Sequence, residues 1–429
     1  MQLTTNPSPL LLGCVADDFT GAGDAASFLA GQGLKTLLFN GVPQCDALPE
    51  DCSAVVIATK TRSIAPCDAA DEAERAFRWL RQMGARQFYF KYCSTFDSTP
   101  QGNIGPVADR VLSLLDEKFT LLCPSLPVNG RTVEDGVLYV NGVPLDESPM
   151  RDHPLNPMWD ARIPRLMRPQ SQNSCMVLGR TELSLPDEAV LSLLNAFGRE
   201  REHFYIVPDY CTAQDEERIM HLFGDCRLLT GGSGLLSPMA DHLRRMYGLP
   251  VCPAPDAGVP GPAVLLAGSC STATRGQIAR YCQQGPAFPV EASRLISGSE
   301  TAGTLWETAG SRADAAPLFY SAGAVDPVLR LQESPAQKAA AAAAMEQTMA
   351  GLARLAYDAG VKRFLVAGGE TAGAVAQELG FDAYLISECV APGVPVMVPL
   401  HDKSIRVVYK SGNFGTEDFF SRALHLTGV

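Results

Sequence analysis

The stretch LLLGCVADDFTGAGDAA, residues 10–26, places a short apolar run before a turn with two aspartates and a segment of small residues. A short apolar run bounded by polar turn residues is typical of a buried β-strand. Helical periodicity separates it from the further apolar runs at residues 36–39, 54–58, 88–90 and 121–122. This alternation predicts a parallel sheet with helices on both faces.

The second half of the sequence repeats this pattern after a break. Residues 249–262, LPVCPAPDAGVPGP, contain five prolines and two glycines, which is typical of a semi-rigid linker. Beyond it, helical segments again separate apolar runs, at residues 263–267, 318–320, 363–366 and 405–409. We therefore predict two α/β domains with mainly parallel sheets, residues 1–249 and 263–429, joined by a linker at residues 250–262.

The size and charge of the chain restrict its classes of function. Its 429 residues exceed the roughly 50–250 of a single domain. The net charge of −12 argues against a nucleic-acid binder, which would need clustered Lys and Arg. No apolar stretch reaches the about 20 residues of a membrane-spanning helix. Thirteen cysteines without a C-x-x-C pair, and six histidines without metal-ligand spacing, are typical of reduced thiols in a cytoplasmic protein.

Polar clusters follow four of the predicted strands in the first half: ADDFTGAGD, TKTRS, KYCSTFDS and CPSLPVNGR. Ligands of parallel α/β sheets bind at the carboxyl ends of the strands, so we expect these clusters at one edge. Arg62 and Lys91 would hold a carboxylate there, the arginine in bidentate fashion. Asp17, Asp18 and Asp97 would bind the hydroxyls of a polyol.

A purely structural interpretation exists for each of these residues alone. Asp18 could cap the helix that begins near Gly21, and Lys91 could pair with an acidic neighbour on the surface. Such separate roles do not explain why polar clusters follow four strands. The sequence therefore favours a site for a small, carboxylate-bearing polyol.

Three strand ends with glycines in the second half indicate a nucleotide pocket. The segments are GSCST after residue 267, GGETAGAV after residue 367 and KSGNFG after residue 409. Backbone N–H groups at a helix N-terminus bind phosphate oxygens well. Neither G-x-x-x-x-G-K-[ST] nor G-x-G-x-x-G is present, so the pocket would be neither a P-loop nor the usual dinucleotide site.

The sequence resembles the four-carbon acid sugar kinases along nearly its whole length. Six ordered motifs carry the resemblance: ADDFTGAGDAA (16–26), KYCSTFDSTPQGNIGPV (91–107), PSLPVNGRTV (124–133), GSCSTATRGQI (268–278), GGETAGAV (368–375) and KSGNFGTEDFF (410–420). In that family an N-terminal domain binds the acid sugar and a C-terminal domain binds the nucleotide. The motif KYCSTFDST is most similar to the 3-oxo-tetronate 4-kinases, whereas relatives acting on threonate or erythronate carry a shorter pattern of lysine, aspartate and serine there.

The resemblance implies particular site residues. The acid sugar would contact Asp17, Asp18, Arg62, Lys91, Tyr92, Cys93 and Ser94. ATP would contact Ser269, Gly368, Gly369, Glu370, Thr371, Ala372 and Gly412. Mg²⁺ would accompany ATP as a cofactor, with its protein ligands unassigned. A general base would accept the proton of the acceptor hydroxyl, and Asp18 is the first candidate, ahead of Asp97 and Asp24.

The implied function is phosphorylation of the 4-hydroxyl of 3-oxo-tetronate in carbohydrate catabolism. The implied partners are the acid sugar and ATP, with no nucleic acid and no membrane. A D-threonate or D-erythronate 4-kinase is the alternative. A non-catalytic sensor of sugar acids would need the first-domain clusters but not the nucleotide loops. The sequence leaves the oligomeric state open, and a homo-oligomer is compatible with it.

Overall fold

The computed structural model describes residues 10–49, 51–152, 156–310, 315–324 and 335–429. The chain divides into two compact units, one that ends at Pro253 and one that begins at Ala254. The domain boundaries at residues 249 and 263 stay a prediction. None of the helices in the described ranges combines the length and apolar character that a transmembrane span requires.

The first unit alternates strands and helices along the chain. Its strands are β1 (Leu12–Ala16), β2 (Thr36–Asn40), β3 (Ala54–Ala58), β4 (Gln87–Lys91), β5 (Phe119–Leu121), β6 (Arg131–Glu134), β7 (Val137–Val140), β8 (Val143–Pro144), β9 (Ser174–Leu178), β10 (Phe204–Pro208) and β11 (Leu228–Gly231). Its helices are α1 (Phe19–Gly31), α2 (Pro66–Gln82), α3 (Ile104–Leu115), α4 (Ile163–Met167), α5 (Arg180–Leu183), α6 (Asp187–Gly198), α7 (Ala213–Phe223) and α8 (Leu236–Met246).

The main sheet of the first unit has the strand order β11-β4-β1-β3-β2, and all its neighbouring pairs are parallel. A second parallel sheet has the order β5-β10-β9, and a small antiparallel sheet has the order β6-β7-β8. The strand predicted at residues 121–122 therefore corresponds to β5, which lies in the second sheet. Its neighbour β10 is contributed by a segment more than eighty residues later, which local periodicity cannot reveal.

The second unit also alternates strands and helices along the chain. Its strands are β12 (Ala263–Ala267), β13 (Ala287–Val290), β14 (Leu318–Ser321), β15 (Arg363–Ala367), β16 (Ala383–Ala391), β17 (Val394–Pro399) and β18 (Arg406–Lys410). Its helices are α9 (Thr272–Tyr281), α10 (Ala292–Ser297), α11 (Ala302–Ala309), α12 (Pro335–Asp358), α13 (Gly369–Leu379) and α14 (Phe419–Thr427). The strand order is β16-β17-β18-β15-β12-β14-β13. The five strands from β18 to β13 are mutually parallel, while β17 runs antiparallel to both β16 and β18.

Burial explains why the central strands read as continuous apolar runs. All residues of β1, β3 and β4 are buried, as expected for a parallel sheet that helices cover on both faces. In the second unit, Leu265, Leu365 and Val408 from neighbouring strands form one core with Ile278 and Phe419. This apolar packing holds the neighbouring strands in place, and with them the strand ends that carry the polar side chains.

The glycine-rich segment after β11 lies directly on the segment after β5. A Cβ on Gly231 would be 2.1 Å from the carbonyl oxygen of Cys123, and one on Gly234 would be 2.1 Å from that of Ser125. The N–H of Gly232 donates to the carbonyl of Cys123 at 3.0 Å. Only glycine permits these two backbones to approach so closely.

We expect Gly231→Ala to destabilise the first unit by about 1–3 kcal/mol, because the new methyl group would overlap backbone atoms rather than a movable side chain. Calorimetric unfolding of the full chain measures the effect. Gly31→Ala is the matched control, since no described atom lies within 4 Å of its Cβ, and alanine favours a helix over glycine. Equal unfolding midpoints for the two variants would contradict the close approach.

Candidate active site

Backbone hydrogen bonds join the ends of three neighbouring strands in the first unit. The N–H of Asp17, after β1, donates to the carbonyl of Lys91 at the end of β4, at 3.0 Å. The carbonyl of Asp17 accepts from the N–H groups of Thr61 and Arg62, after β3, at 3.1 and 3.2 Å. The strand ends therefore meet around the backbone of Asp17, and the structure brings together the side chains of Asp17, Asp18, Arg62 and Lys91 as the sequence predicts.

The guanidinium of Arg62 already binds two carboxylates of the chain. Its Nε and Nη2 donate to the two oxygens of Asp17 at 2.9 and 2.7 Å, and Nη2 also donates to Asp18 Oδ1 at 2.8 Å. The bidentate pairing expected with a substrate carboxylate is thus made with Asp17, because both residues extend from adjacent strand ends. Among the described residues, none accepts a hydrogen bond from Nη1, and the Arg62 side chain is 23% exposed.

Asp18 is both a helix cap and a member of the cluster. It is the N-cap of α1, where Oδ1 accepts from the N–H of Gly21 at 2.9 Å and Oδ2 accepts from the Thr20 hydroxyl at 2.8 Å. Burial raises the pKa of Asp18, but the charges of Arg62 and Lys91 and these hydrogen bonds outweigh burial and lower it overall. Asp18 is therefore ionised at neutral pH, and the helix cap that the sequence suggested for it is present, while its functional role stays a prediction.

Asp17 responds differently to the same neighbours. Burial raises the pKa of its carboxyl group, although the charge and hydrogen bonds of Arg62 act in the opposite direction. The adjacent charge of Asp18 adds to the increase. Two neighbouring carboxylates in one cluster thus have pKa values shifted in opposite directions.

Lys91 lies deeper in the cluster and is 4% exposed. Its Nζ is 3.8 Å from Asp24 Oδ2, which also accepts a hydrogen bond from the Ser233 hydroxyl. Burial lowers the pKa of Lys91, but the charges of Asp24, Asp18 and Asp17 outweigh it and raise the pKa overall. A Cβ on Gly21 would lie 2.2 Å from Asp18 Oδ1 and 2.6 Å from Lys91 Nζ, so a larger residue there would displace these two side-chain ends.

Two residues that sequence reasoning did not place in this cluster are Ser233 and Asn103. Ser233 follows β11, and its only sequence signal is the surrounding GGSG at residues 231–234. Asn103 Nδ2 donates to the carbonyls of Thr61 and Ile64, the latter at 2.9 Å, and so holds the loop that carries Arg62. A cavity of ≈ 10 Å³ lies between Asn103 and Arg62, which is space for about one water molecule and not for a four-carbon acid.

The remaining predicted sugar contacts differ in position. The Tyr92 side chain lies in the core, where its ring packs edge-on against Phe90 and Phe96, so the structure places it away from the cluster. Strand alternation explains this, since Tyr92 follows Lys91 and points to the other face. Cys93 and Ser94 are half-buried. Burial raises the pKa of Cys93 to about 12, so this residue stays a thiol.

Neighbouring strand ends also meet in the second unit. The N–H of Ser269, after β12, donates to Ala367 at 3.2 Å, and the N–H of Gly368, after β15, donates to Lys410 at 3.0 Å. Gly368 has a φ of 125°, and a Cβ on Gly412 would lie 2.5 Å from Ser269 Oγ. The structure thus brings together Ser269, Gly368 and Gly412, three of the predicted ATP contacts.

The other predicted ATP contacts begin α13. Gly369 and Glu370 are exposed, while Thr371 and Ala372 are buried. The N–H of Ala372 donates to the carbonyl of Gly368 at 2.9 Å, so this residue offers neither a free donor nor an exposed side chain. The earlier N–H groups of a helix have no partner within it, so the start of α13 suits an anion.

In the second unit, Lys410 is a residue that sequence reasoning did not assign to the site. It ends β18 and is fully buried, and its Nζ donates to Thr274 Oγ1 at 2.9 Å. It also donates to the carbonyls of Ser411 and Gly412, each at 3.0 Å. The basic residue in KSGNFG is the signal that could have identified it.

No group of three or more His, Cys, Asp or Glu side chains within the described ranges could hold a metal ion.

The two units present different chemistry. The first gathers carboxylates and cations around polar strand ends, and the second gathers glycines, hydroxyls and backbone N–H groups.

Comparison with known proteins agrees with this division. Residues 12–239 match the family model of a sugar-binding N-terminal domain, and residues 264–420 match that of a nucleotide-binding C-terminal domain. Relatives named 3-oxo-tetronate kinase from Brucella melitensis and Salmonella typhimurium are each 42% identical over 98% and 96% of this chain, and over 96% and 98% of their own length. The chain belongs to the four-carbon acid sugar kinase family.

A solved structure has the same fold. A protein from Salmonella typhimurium LT2 superposes with a TM-score of 0.84 at 39% identity, over 98% of this chain and 100% of that chain. The predicted ATP-dependent kinase is confirmed. The prediction of two α/β domains, a sugar-binding one followed by a nucleotide-binding one, is also confirmed. The individual site residues stay predictions.

We expect Arg62→Met to destabilise the first unit by roughly 3 kcal/mol, because it leaves the buried carboxylate of Asp17 and the half-buried carboxylate of Asp18 without this cation. Urea unfolding of the full chain measures the loss. Adding Asp17→Asn to Arg62→Met should recover part of the stability, since one uncompensated charge is removed.

The matched control for this pair is Arg78→Met. Arg78 pairs with Glu74 on the surface and is 54% exposed, so its loss should cost less than about 1 kcal/mol. Similar losses for Arg62→Met and Arg78→Met would show that the Arg62 cluster is not a coupled, buried network.

Proposed function

We propose that this chain transfers the γ-phosphoryl group of ATP to the 4-hydroxyl of 3-oxo-tetronate, in carbohydrate catabolism. The observation that carries the substrate is the 42% identity to relatives named 3-oxo-tetronate kinase, over nearly the full length of both chains. The buried cations of the first unit fit the carboxylate of such an acid. The enzyme would act in the cytoplasm, where ATP is available, and a homo-oligomer is compatible with this activity.

The acid sugar would bind at the cluster formed by Asp17, Asp18, Arg62 and the segment from Lys91 to Ser94. In the described structure Arg62 Nη2 is shared by Asp17 and Asp18. An incoming carboxylate would compete with Asp18 for this group and would also reach Nη1. Arg62 would keep its pairing with Asp17, which holds the guanidinium in a fixed orientation.

Displacement of Asp18 from Arg62 by the substrate carboxylate would change the pKa of Asp18. The charge of Arg62 is the largest influence that lowers the pKa of Asp18. Once the substrate carboxylate takes the place of Asp18 on Arg62 Nη2, the pKa of Asp18 would rise towards its ordinary value, and its carboxylate would become a better proton acceptor. Asp18 would then accept the proton of the 4-hydroxyl as the hydroxyl oxygen attacks the γ-phosphorus.

ATP would bind in the second unit, around Ser269, Gly412 and the start of α13 from Gly368 to Ala372. Phosphoryl transfer depends mainly on positioning and on stabilising charge at the phosphate oxygens, which N–H groups and hydroxyls can do. Mg²⁺ would supply further charge stabilisation when bound.

The first test is ATP consumption by the purified full-length chain with Mg²⁺, across 3-oxo-tetronate, threonate and erythronate in both configurations. We expect the highest kcat/KM with the 3-oxo acid, and a product phosphorylated at the 4-hydroxyl by mass spectrometry and ³¹P NMR. Preference for threonate or erythronate would overturn the substrate and keep the kinase. Acid-sugar binding without ATP binding would indicate a sensor.

We expect Asp18→Asn to lower kcat by about 10²–10⁴-fold, because asparagine cannot accept the hydroxyl proton. Asparagine caps helices as well as aspartate does, so α1 should remain intact. Steady-state kinetics measure kcat, and calorimetric titration with ATP should give an unchanged Kd.

Asp97→Asn is the matched comparison for Asp18→Asn. Asp97 accepts a hydrogen bond from Thr95 at 2.7 Å and lies beside the small cavity between Asn103 and Arg62. A larger loss of kcat in Asp97→Asn than in Asp18→Asn would transfer the role of base to Asp97. Unchanged turnover in Asp18→Asn would remove Asp18 from that role.

A further inference from the structure

Lys410 lies at the centre of the loops that end β12 and β18. Its three donated hydrogen bonds go to the Thr274 hydroxyl and to the carbonyl oxygens of Ser411 and Gly412. The Gly412 carbonyl also accepts hydrogen bonds from the hydroxyls of Ser271 and Thr274, the latter at 2.8 Å. Lysine has three N–H donors as an ammonium, so these contacts use all of them.

The direction of these carbonyls determines where the next N–H groups point. In a planar trans peptide the C=O and the following N–H point in opposite directions. Since the carbonyls of Ser411 and Gly412 point towards Lys410 Nζ, the N–H groups of Gly412 and Asn413 point away from it. The N–H of Phe414 closes the turn by donating to Ser411 at 3.2 Å.

Two successive peptide N–H groups on one side of a turn form a concavity that suits an anion. Gly412 is half-buried and Asn413 is exposed, so this side of the turn is accessible. The parallel strands β12, β15 and β18 are neighbours, so the turn lies at the same sheet edge as the starts of α9 and α13. Several groups with partial positive charge thereby converge at this edge.

The charge of Lys410 is itself poorly compensated. In the part of the chain that the structure describes, no carboxylate lies within ion-pair distance of Nζ, and the Phe419 ring, whose centroid is 5.7 Å from Nζ, gives only a cation–π contact. Burial lowers the pKa of Lys410 to about 7. A buried cation without an anion is costly, and an anion bound at the turn would reduce that cost.

We propose that Lys410 is a positioning residue for the phosphate groups of the nucleotide. Its ammonium holds the Ser411 and Gly412 carbonyls inward and thereby presents the N–H groups of Gly412 and Asn413 to a phosphate. This inference rests on the proposed binding of ATP in the second unit. It assigns Lys410 no contact with the reacting atoms.

The test compares Lys410→Met with the unmodified chain for two ligands, ATP and adenosine. Methionine keeps the apolar stem and removes the ammonium. We expect the Kd of ATP to rise by roughly 10–100-fold, which is the usual effect of losing the hydrogen bonds of a charged group. The inhibition constant of adenosine should change less than about twofold, because adenosine has no phosphate. The KM of the acid sugar should stay unchanged.

Lys362→Met is the matched control, because Lys362 belongs to the same unit and its Nζ donates to Ser404 Oγ at 3.0 Å on the exposed surface. It should leave both ligands unaffected. Unchanged ATP affinity in Lys410→Met would overturn the proposal, and so would equal losses for ATP and adenosine, which would indicate a general structural role. Failure of the unmodified chain to bind ATP would instead overturn the proposed function.

A second pair of variants decides the question if Lys410→Met does not fold. Thr274→Val removes the hydroxyl that joins Lys410 to the Gly412 carbonyl, and Thr274→Ser keeps it. We expect Thr274→Val to weaken ATP selectively over adenosine, and Thr274→Ser to restore the affinity. Equal ATP affinity in the two variants would contradict the positioning role.

Discussion

The two peptide groups that flank Asp17 hold together the cluster of Asp17, Asp18, Arg62 and Lys91. One donates its N–H to the end of β4, and the other accepts at its carbonyl from the segment after β3. These bonds require the three strands to be parallel and in register, since a shift by one residue would turn every side chain to the opposite face. The positions of the buried charges therefore follow from the register of the main chain.

Each unit contains a buried lysine at a strand end, and the contrast between them is informative. Lys91 has carboxylates nearby, which raise its pKa above that of a free lysine. Lys410 has only neutral acceptors, and burial lowers its pKa. The first lysine belongs to a cluster that is largely compensated without a ligand, whereas the second carries a charge that a bound anion would complement.

Much of the fold follows from local patterns, because apolar runs and glycine-bearing turns mark the strand ends directly. The alternation of strands and helices that the sequence predicts agrees with the structure around β1, β3, β4, β12, β15 and β18. Local patterns did not show that β5 pairs with β10, or that the antiparallel strands β16 and β17 extend the second sheet. Pairing partners are set by packing of distant segments, which periodicity does not record.

The sequence by itself determined the family and distinguished the charged strand ends of the first unit from the glycine-bearing strand ends of the second. It also predicted that Asp17, Asp18, Arg62 and Lys91 would meet, because local motifs contain all four residues. Only the tertiary structure showed that Asp17 occupies the fork of Arg62, that Ser233 reaches Asp24 and that Tyr92 lies in the core. The Ser233–Asp24 hydrogen bond joins residues 209 positions apart. Such contacts depend on how strands assemble into a sheet, and no local stretch of sequence contains that information.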